Sequence, residues 1–557
     1  MRPADWIVVV FYFAYVLWEG VRHGRRNADL DDYFRGRRSL RWWAVGLSVM
    51  ATQASAITYI GTTGQAYGSG MSFIQFYLPQ PLVMIVLCLT FVPFFYRANV
   101  YTAYEYLERR FDARTRSLTS LLFLVSRGLA TSMVLYASAV VLAAMLGWGE
   151  VATILVMALI TVAYTTVGGN KAVILIDAKQ MLLMFAGIFV ALGLFIAGFP
   201  AGFTLGDAVR LAGATHKWNN IDLSVDLNNP YTLLSGMVGG FFLALAYFGC
   251  DQSQVQRYLT GRSLSESRMS LVFNAFVKVP MQFLILAIGV LMFVFFHFQP
   301  APLNFNGSYD RLLAERAGAE YSALQSEYEA AFQQRKEAAL DIDRSRQRYL
   351  SAQSALERVR LSNETLLRRV LGREPSSDVN YIFPWFLLHH VPAGLLGMML
   401  AVIFAAAMST FSSEINSLAS ATVMDFYKRY LLPEATDRHY LRVSRGATVF
   451  WGAFAAAAAC YAGRLGSLIE AVNKVGSYFY SPILGVFLLA FVVRRSNSTG
   501  AFWGLVAGEV AVLWVALFTS VAWLYYNVVG VVVVLLAGTL LSYLRKQPPT
   551  TRFHRFH

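Results

Sequence analysis

Charge is scarce in this chain. Asp, Glu, Lys and Arg make up 14% of its 557 residues, and apolar runs of about twenty residues recur from end to end. That argues against a soluble domain and for a polytopic membrane protein, as do the 56% hydrophobic and 15% aromatic content and the mean hydropathy of +0.48. Cysteine is scarcer still. Cys88, Cys250 and Cys460 lie in or at the ends of apolar spans with no CxxC pair, which supports neither a disulfide framework nor a Cys-based metal site. Acidic residues are outnumbered, giving a formal charge of +14. In a soluble domain that excess would suggest nucleic acid, but here the basic residues fall in alternate loops between apolar spans and read as topology signals. Nucleic acid is therefore not an expected partner; the lipid bilayer is. No nucleophile–base pair or metal cluster is evident, so the chain does not read as an enzyme and no organic cofactor is expected.

The first span, about 4–22, has no small-residue cleavage site behind it and reads as a mature helix. The strongly basic loop RHGRRNADLDDYFRGRRSLR follows and belongs on the cytoplasmic side, which puts the N-terminus outside. Further spans are expected near 42–70, 73–96, 117–146, 150–168, 173–198, 232–250, 270–297, 393–424, 444–462, 470–493, 501–520 and 522–544. They leave Arg97, Arg109, Arg257, Arg262, Arg268, Lys428, Arg438, Arg494, Arg545 and Lys546 on the inner side. The expectation is about thirteen helices in the cell membrane with a cytoplasmic C-terminus.

The stretch WWAVGLSVMATQASAITYIGTTGQAYGSG, 42–70, is long enough to cross a bilayer and carries no charge, yet Thr52, Gln53, Ser55, Thr58, Thr62 and Thr63 interrupt it, with Gly61 and Gly64 close by. In lipid, polar or irregular backbone survives only where protein buries it or a wet cavity adjoins it, so this reads as a broken helix facing a solute. Ser and Thr that merely join helices are the alternative. A second uncharged segment, GMMLAVIFAAAMSTFSS at 397–413, places three alanines where another helix can approach. Ser409, Ser412, Ser413 and Asn416 then follow at i, i+3, i+4 and i+7, on one helical face. A small hard cation without redox chemistry wants such oxygens, and neither segment has the His and Cys donors that a transition metal prefers.

One segment breaks the rhythm. Between Gly318 and Gly372 there is no Gly or Pro, and Glu, Arg, Gln, Ala and Leu dominate. It should be helical, with a stripe of Leu324, Tyr328, Phe332, Leu350, Leu356, Val359 and Leu366. A single helix would reach roughly 80 Å, so a hairpin bending near Asp341–Arg344 and lying over the outer face is expected, as a charged extracytoplasmic insertion over 315–372 whose protein partner is unknown. A solvated spacer fits its charge runs better than a partner-binding arm.

WWAVGLSVMATQASAITYIG, YTAYEYLERRF, DQSQVQRYL, AAAMSTFSSEINSLASATVMDFYKRY and YSPILGVFLLAF together resemble the sodium/solute symporter family, which includes sodium-coupled galactose, proline and sialic acid transporters. The resemblance covers almost the whole chain. It implies an all-α, leucine-transporter-like fold of two inverted five-helix repeats, here 42–198 and 232–493, with an accessory helix at 4–22 and two more at 501–545. It further implies a core sodium site on the carbonyls of Ala51, Ala54 and Ala406 and the hydroxyls of Ser409 and Thr410. A second sodium is implied at Asp177, Ser409, Ser412 and Ser413, where the alternative for Asp177 is an ordinary helix-start carboxylate near the cytoplasmic surface. For the solute the resemblance points to Gln53, Ser55, Thr58, Gln75 and Tyr77, with Tyr247 as an inner aromatic gate and Lys474 on the tenth core helix. A family glutamate falls near Tyr77, which disfavours galactose, and Lys278 matches a lysine of the sugar transporter. Arg127 sits about ten residues into its span, where it costs roughly 2.5–3.5 kcal/mol unless paired or facing water, and it wants an anion.

The expected function is sodium-driven symport of a small organic solute by alternating access, with sodium as coupling ion and a carboxylate or acidic sugar as solute; a neutral sugar or polyol is the runner-up. One sodium falling through 100 mV and a tenfold gradient yields about 3.7 kcal/mol, enough for several-hundred-fold accumulation of a neutral solute. A sodium-permeable channel would show flux without solute coupling. A solute sensor would need a signalling domain, for which the tail RKQPPTTRFHRFH leaves no room.

Overall fold

The computed structural model describes residues 2–24, 29–219, 221–342, 345–375, 378–461 and 468–545. The basic tail from Lys546, and Arg344 at the expected bend, lie outside the described residues. The principal helices are α1 (Pro3–Gly24), α2 (Trp42–Gln53), α3 (Ala56–Ser69), α4 (Gln80–Leu89), α5 (Phe91–Ala98), α6 (Ala113–Leu146), α7 (Glu150–Ala197), α8 (Gly240–Cys250), α9 (Gln252–Tyr258), α10 (Leu264–Phe298), α11 (Gly318–Leu340), α12 (Arg346–Leu371), α13 (Val379–His390), α14 (Leu395–Ala421), α15 (Asp437–Tyr461), α16 (Leu468–Val492), α17 (Ser498–Phe518) and α18 (Tyr526–Leu544). Among the described residues, eight stretches are long and apolar enough to cross a membrane as they stand. Further spans expected from sequence emerge where chain geometry divides these stretches. In α7, Gly169 takes φ 67° and ψ −174°, a conformation that suits glycine, and this splits a 48-residue helical run into the two spans expected at 150–168 and 173–198. The apolar helices Ser235–Cys250 and Gly476–Val492 are shorter.

Two spans are broken at their middles. The first stops at Gln53 and restarts at Ala56, with Ala54 (φ −90°, ψ 73°) and Ser55 (φ −74°, ψ 172°) out of helical conformation. The second stops at Cys250 and restarts at Gln252 around an extended Asp251, and so runs on to Tyr258, past the end at 250 that hydropathy suggests. Its last turns are polar, which is why a hydropathy reading stops short. α14 is the central element: 89% of its most apolar window is buried, and it packs against α1, α2, α6, α7 and α9. The broken first span lies between α14, α7 and α10.

Small residues set these approaches. A Cβ at Gly289 on α10 would lie 2.2 Å from the Thr63 carbonyl oxygen, and one at Gly64 would lie 1.9 Å from that of Val379 on α13. α1 is fastened to the start of α14 by Asp5, whose carboxylate accepts from the backbone N–H groups of Gly394 (2.7 Å) and Gly397 (3.0 Å) and so supplies two of the partners that a helix N-terminus lacks. The charged stretch forms α11 and α12, packed on each other over a small core of Tyr321, Tyr328, Phe332, Leu356, Val359 and Leu366. It sits at the Phe298 end of α10, where Arg335 donates to the Phe296 carbonyl (2.6 Å). The arginine-rich loops gather at the opposite, Leu264 end, where Arg262 donates to Ser39 and Arg268 to Cys88.

Gly289→Leu is expected to push α10 away from the broken first span at a cost of about 1–3 kcal/mol, read as a lowered thermal unfolding midpoint in detergent. Substitution by leucine at Gly202, where a Cβ would meet nothing within 4 Å but φ is +83°, separates backbone strain from packing.

Candidate ion and solute sites at the helix breaks

A helix that ends in the membrane interior leaves carbonyls without intrahelical partners, and α14 answers those of α2. The Ser409 hydroxyl lies 3.1 Å from both Ala51 O and Ala406 O, and the Thr410 hydroxyl 3.0 Å from Thr52 O and 3.3 Å from Ala406 O, so each has a carbonyl acceptor on either helix. Three carbonyl and two hydroxyl oxygens thus converge from two helices, all fully or nearly fully buried. Four of the five expected sodium-binding residues, Ala51, Ala406, Ser409 and Thr410, meet here. Thr52, unnoticed in the sequence as a source of a carbonyl oxygen, takes part through its backbone. Ala54 lies at the break itself, buried and non-helical. A set of neutral oxygens is the chemistry that suits a hard monovalent cation.

Asp177 is no surface carboxylate. It is fully buried, and its Oδ2 accepts from Ser48 (2.9 Å) and lies 3.3 Å from the Ser413 hydroxyl. Ser413 also donates to Ser409 O (2.6 Å) and Ser412 donates to the same carbonyl (3.1 Å). The structure therefore brings Asp177, Ser409, Ser412 and Ser413 together. It adds a residue that loop charge had hidden: Arg257, read as an inner-loop topology signal, is 1% exposed on α9, 3.3 Å from Asp177 Oδ2, and bonds Ser48 (3.0 Å) and Ser413. Its place at the end of a polar half-helix distinguishes it from a loop arginine, and hydropathy alone does not see that.

Beside the break lies a cavity lined by Thr52, Gln53, Ser55, Thr58, Phe76, Tyr77, Gln80, Arg127, Tyr247, Thr410, Glu414 and Tyr480 among others. Six expected solute residues, Gln53, Ser55, Thr58, Tyr77, Arg127 and Tyr247, share it. Two do not. Gln75 is occupied elsewhere: its amide donates to Tyr231 O (2.8 Å) and Ser72 O (3.2 Å) and accepts from Asp222 N–H (3.0 Å), holding the loop that precedes α8. Lys474 is exposed. It precedes Tyr480 by six positions, roughly 120° around α16 from the face that meets the cavity. Arg127 finds its anions within the protein: Glu414 at 2.7 Å through Nη1, and Asp251, at the second break, through Nη2, with the Tyr480 hydroxyl also on Nη2. The rings of Tyr247 and Tyr480 lie 5.5 and 5.4 Å from the guanidinium carbon. Arg127 Nε, Glu414 Oε2 and Gln53 Oε1 are buried without a hydrogen-bond partner among the described residues. Asp251, Glu414 and Tyr480 were not legible as site residues, because a nonlocal ion pair leaves no local signature.

The sequence profile of the sodium:solute symporter family matches residues 33–318 and 369–508. The chain belongs to the sodium:solute symporter family. This symporter is 26% identical over 551 residues to the sodium/sialic acid symporter SiaT of Proteus mirabilis, covering 97% of the chain and 94% of that protein. It is 29% identical over 507 residues to the human sodium/iodide cotransporter, covering 90% and 67%, and 27% identical over 526 residues to the sodium/glucose cotransporter of Vibrio parahaemolyticus, covering 90% and 83%. Its backbone superposes with a TM-score of 0.78 on a substrate-bound, outward-open structure of a sodium-coupled sialic acid symporter, covering 98% of each chain at 24% identity. The fold is leucine-transporter-like. The symporter is a multi-pass membrane protein and a sodium-coupled transporter of a small molecule, not an enzyme.

Arg257→Met is expected to cost about 3–5 kcal/mol, because it strands the Asp177 carboxylate in a buried site. Adding Asp177→Asn should recover more than half of that loss in a chemical unfolding cycle, whereas two independent contributions would simply add.

Proposed function

We propose that the symporter carries a carboxylate-bearing small solute of the acidic-sugar class, driven inward by sodium bound where the freed carbonyls of α2 meet the hydroxyls of α14. The observation that carries the sodium part is the convergence of Ala51 O, Thr52 O, Ala406 O, Ser409 Oγ and Thr410 Oγ1 at the helix break. Ala54 completes the expected set. A second sodium belongs at Asp177, Ser409, Ser412 and Ser413, where Oδ1 of Asp177 has no hydrogen-bond partner among the described residues. The repeats run over 42–198 and 232–493, the arginine-rich face is cytoplasmic, and α11 and α12 lie outside.

Support for the solute class comes from the likeness to sodium/sialic acid symporters over 97% of the chain and from the cavity itself, which offers hydroxyls of Ser55 and Thr58, the amide of Gln53 and a guanidinium. Arg127 carries five N–H donors; Nε, without a hydrogen-bond partner among the described residues, serves a solute carboxylate. A neutral sugar or polyol is the second reading, favoured by one observation: Glu414 and Asp251 already balance the charge of Arg127.

Radioactive sodium entry into proteoliposomes tests both parts. A pool of acidic sugars should stimulate entry, and Ser409→Ala should abolish the stimulation. Asp177→Ala should flatten a steep dependence on sodium to a shallow one. Arg127→Lys, which keeps the charge but loses the planar fork, should raise the KM for an acidic solute by about tenfold or more; stimulation by neutral sugars alone would transfer the assignment to the second reading. Entry that is equal with no solute present would identify a channel.

A further inference from the structure

The third membrane span, 73–96, bends on the arginine-rich face, and the bend opens a cavity that the candidate transport sites do not use. α4 ends at Leu89, Thr90 takes φ −116° and ψ −83°, and α5 begins at Phe91. Pro93 has no N–H to return to Leu89, and its ring disfavours a straight helix through that turn. The bend leaves the Cys88 carbonyl to an outside donor, and Arg268 from the first turns of α10 supplies it through Nε at 2.8 Å. That bond fixes the guanidinium plane of Arg268, and among the described residues its two terminal amino groups make no hydrogen bond and can serve another acceptor.

The resulting cavity, about 210 Å³, is lined by Leu89, Pro93, Phe94, Arg97, Ala98, Tyr106 and Arg268. Its composition is divided. Leu89 is 69% exposed on the outer surface of the helix bundle, and with Pro93 and Phe94 it forms an apolar wall where acyl chains run. Arg97, one turn nearer the loops, is exposed, and among the described residues it makes no hydrogen bond, ion pair or ring contact. Among the described residues no carboxylate lines the cavity, so its two guanidinium groups have no acidic partner in its wall. Tyr106 adds a ring with a polar tip, the chemistry that suits a headgroup boundary. Two cations at the loop end and hydrocarbon at the core end match a molecule that is anionic at one end and apolar at the other.

We propose that this cavity is a binding site for one anionic phospholipid, its phosphate held by Arg97 and Arg268 and its acyl chains lying on Leu89, Pro93 and Phe94. Basic pockets between spans at the membrane surface have this chemistry, and each arginine near an anionic headgroup contributes a few-fold in affinity. A neutral, zwitterionic lipid brings no net charge to the two guanidinium groups and is bound more weakly.

The test is native mass spectrometry of the full chain in detergent, titrated with phosphatidylglycerol or with phosphatidylcholine of the same acyl chains. The first phosphatidylglycerol should bind about thirtyfold more tightly to the wild type than to Arg97→Ala/Arg268→Ala, and about fivefold more tightly than to Arg97→Ala alone. The single variant removes no contact made within the described residues, so its fold should be unaffected and its thermal unfolding midpoint unchanged. Equal affinity for the two lipids, or a preference for phosphatidylglycerol that survives in the double variant, would overturn the proposal. Displacement of bound lipid by millimolar glycerol phosphate would overturn it too, since the ligand would then be a free phosphoester that needs no apolar wall.

Discussion

The structure is governed by one requirement: a backbone interrupted inside a membrane must find partners within the protein. Each unsatisfied peptide group there costs several kcal/mol, and beside the candidate sites the chain interrupts its helices at Ala54–Ser55 and at Asp251. The two breaks are neighbours, because α9 packs against both α2 and α14. Carbonyls freed at the first are taken by Ser409 and Thr410. At the second, the Asp251 side chain accepts from Ser253 N–H (2.8 Å), and its other oxygen meets Arg127. The polar faces of α14 and α6 therefore exist because of the breaks, and the tight glycine contacts at Gly64 and Gly289 hold the interrupted segments where those partners can reach them.

Burying charge follows from the same requirement. Arg127 carries Glu414 and Asp251, and Arg257 carries Asp177. Isolated, each group would cost far more than it does in a hydrogen-bonded pair. The ion pairs link α6 to α14 and to the second break, and α9 to α7, joining elements that are far apart in the chain. Serine hydroxyls fill in around them: Ser48 and Ser413 each touch both Asp177 and Arg257. Ordinary helix packing in lipid has no hydrophobic driving force between helices, so such links contribute to specifying which helices meet.

What the sequence disclosed follows from which signals are local. The polar interruption at Thr52–Ser55 and the spacing Ser409, Ser412, Ser413 are periodic features of single helices, and the break and the oxygen face both appear where that periodicity puts them. The charged stretch without Gly or Pro reads as helical for the same reason. Arg257 and Arg127 show where the method ends. An arginine after an apolar run looks the same whether it faces water or a buried aspartate, and Asp177 lies 80 positions away from its partner. The anion that Arg127 requires was inferable from its depth; that Glu414 and Asp251 supply it depends on the tertiary fold. Gln75 and Lys474 fail differently. Their residue types suit a solute site, but the loop before α8 claims one and helical phase turns the other away.

The arrangement also explains how two sites can act as one. Thr410 lines the cavity beside the break and, through its hydroxyl, bonds the Thr52 carbonyl in the oxygen cluster. Thr52 does the same from the other side: its side chain reaches Ser413 at 3.0 Å, beside Asp177, while the residue borders the cavity. A cation gathered by the cluster would draw α2 and α14 together through these residues and fix the cavity wall, and a solute pressing on that wall would stabilise the cluster by an equal amount, since coupling between binding sites is reciprocal. No relay across the protein is needed. A coupling of about 1–3 kcal/mol, the usual range, is what one shared wall of two residues and their hydrogen bonds can supply, and it is smaller than the roughly 3.7 kcal/mol that each sodium releases in crossing the membrane.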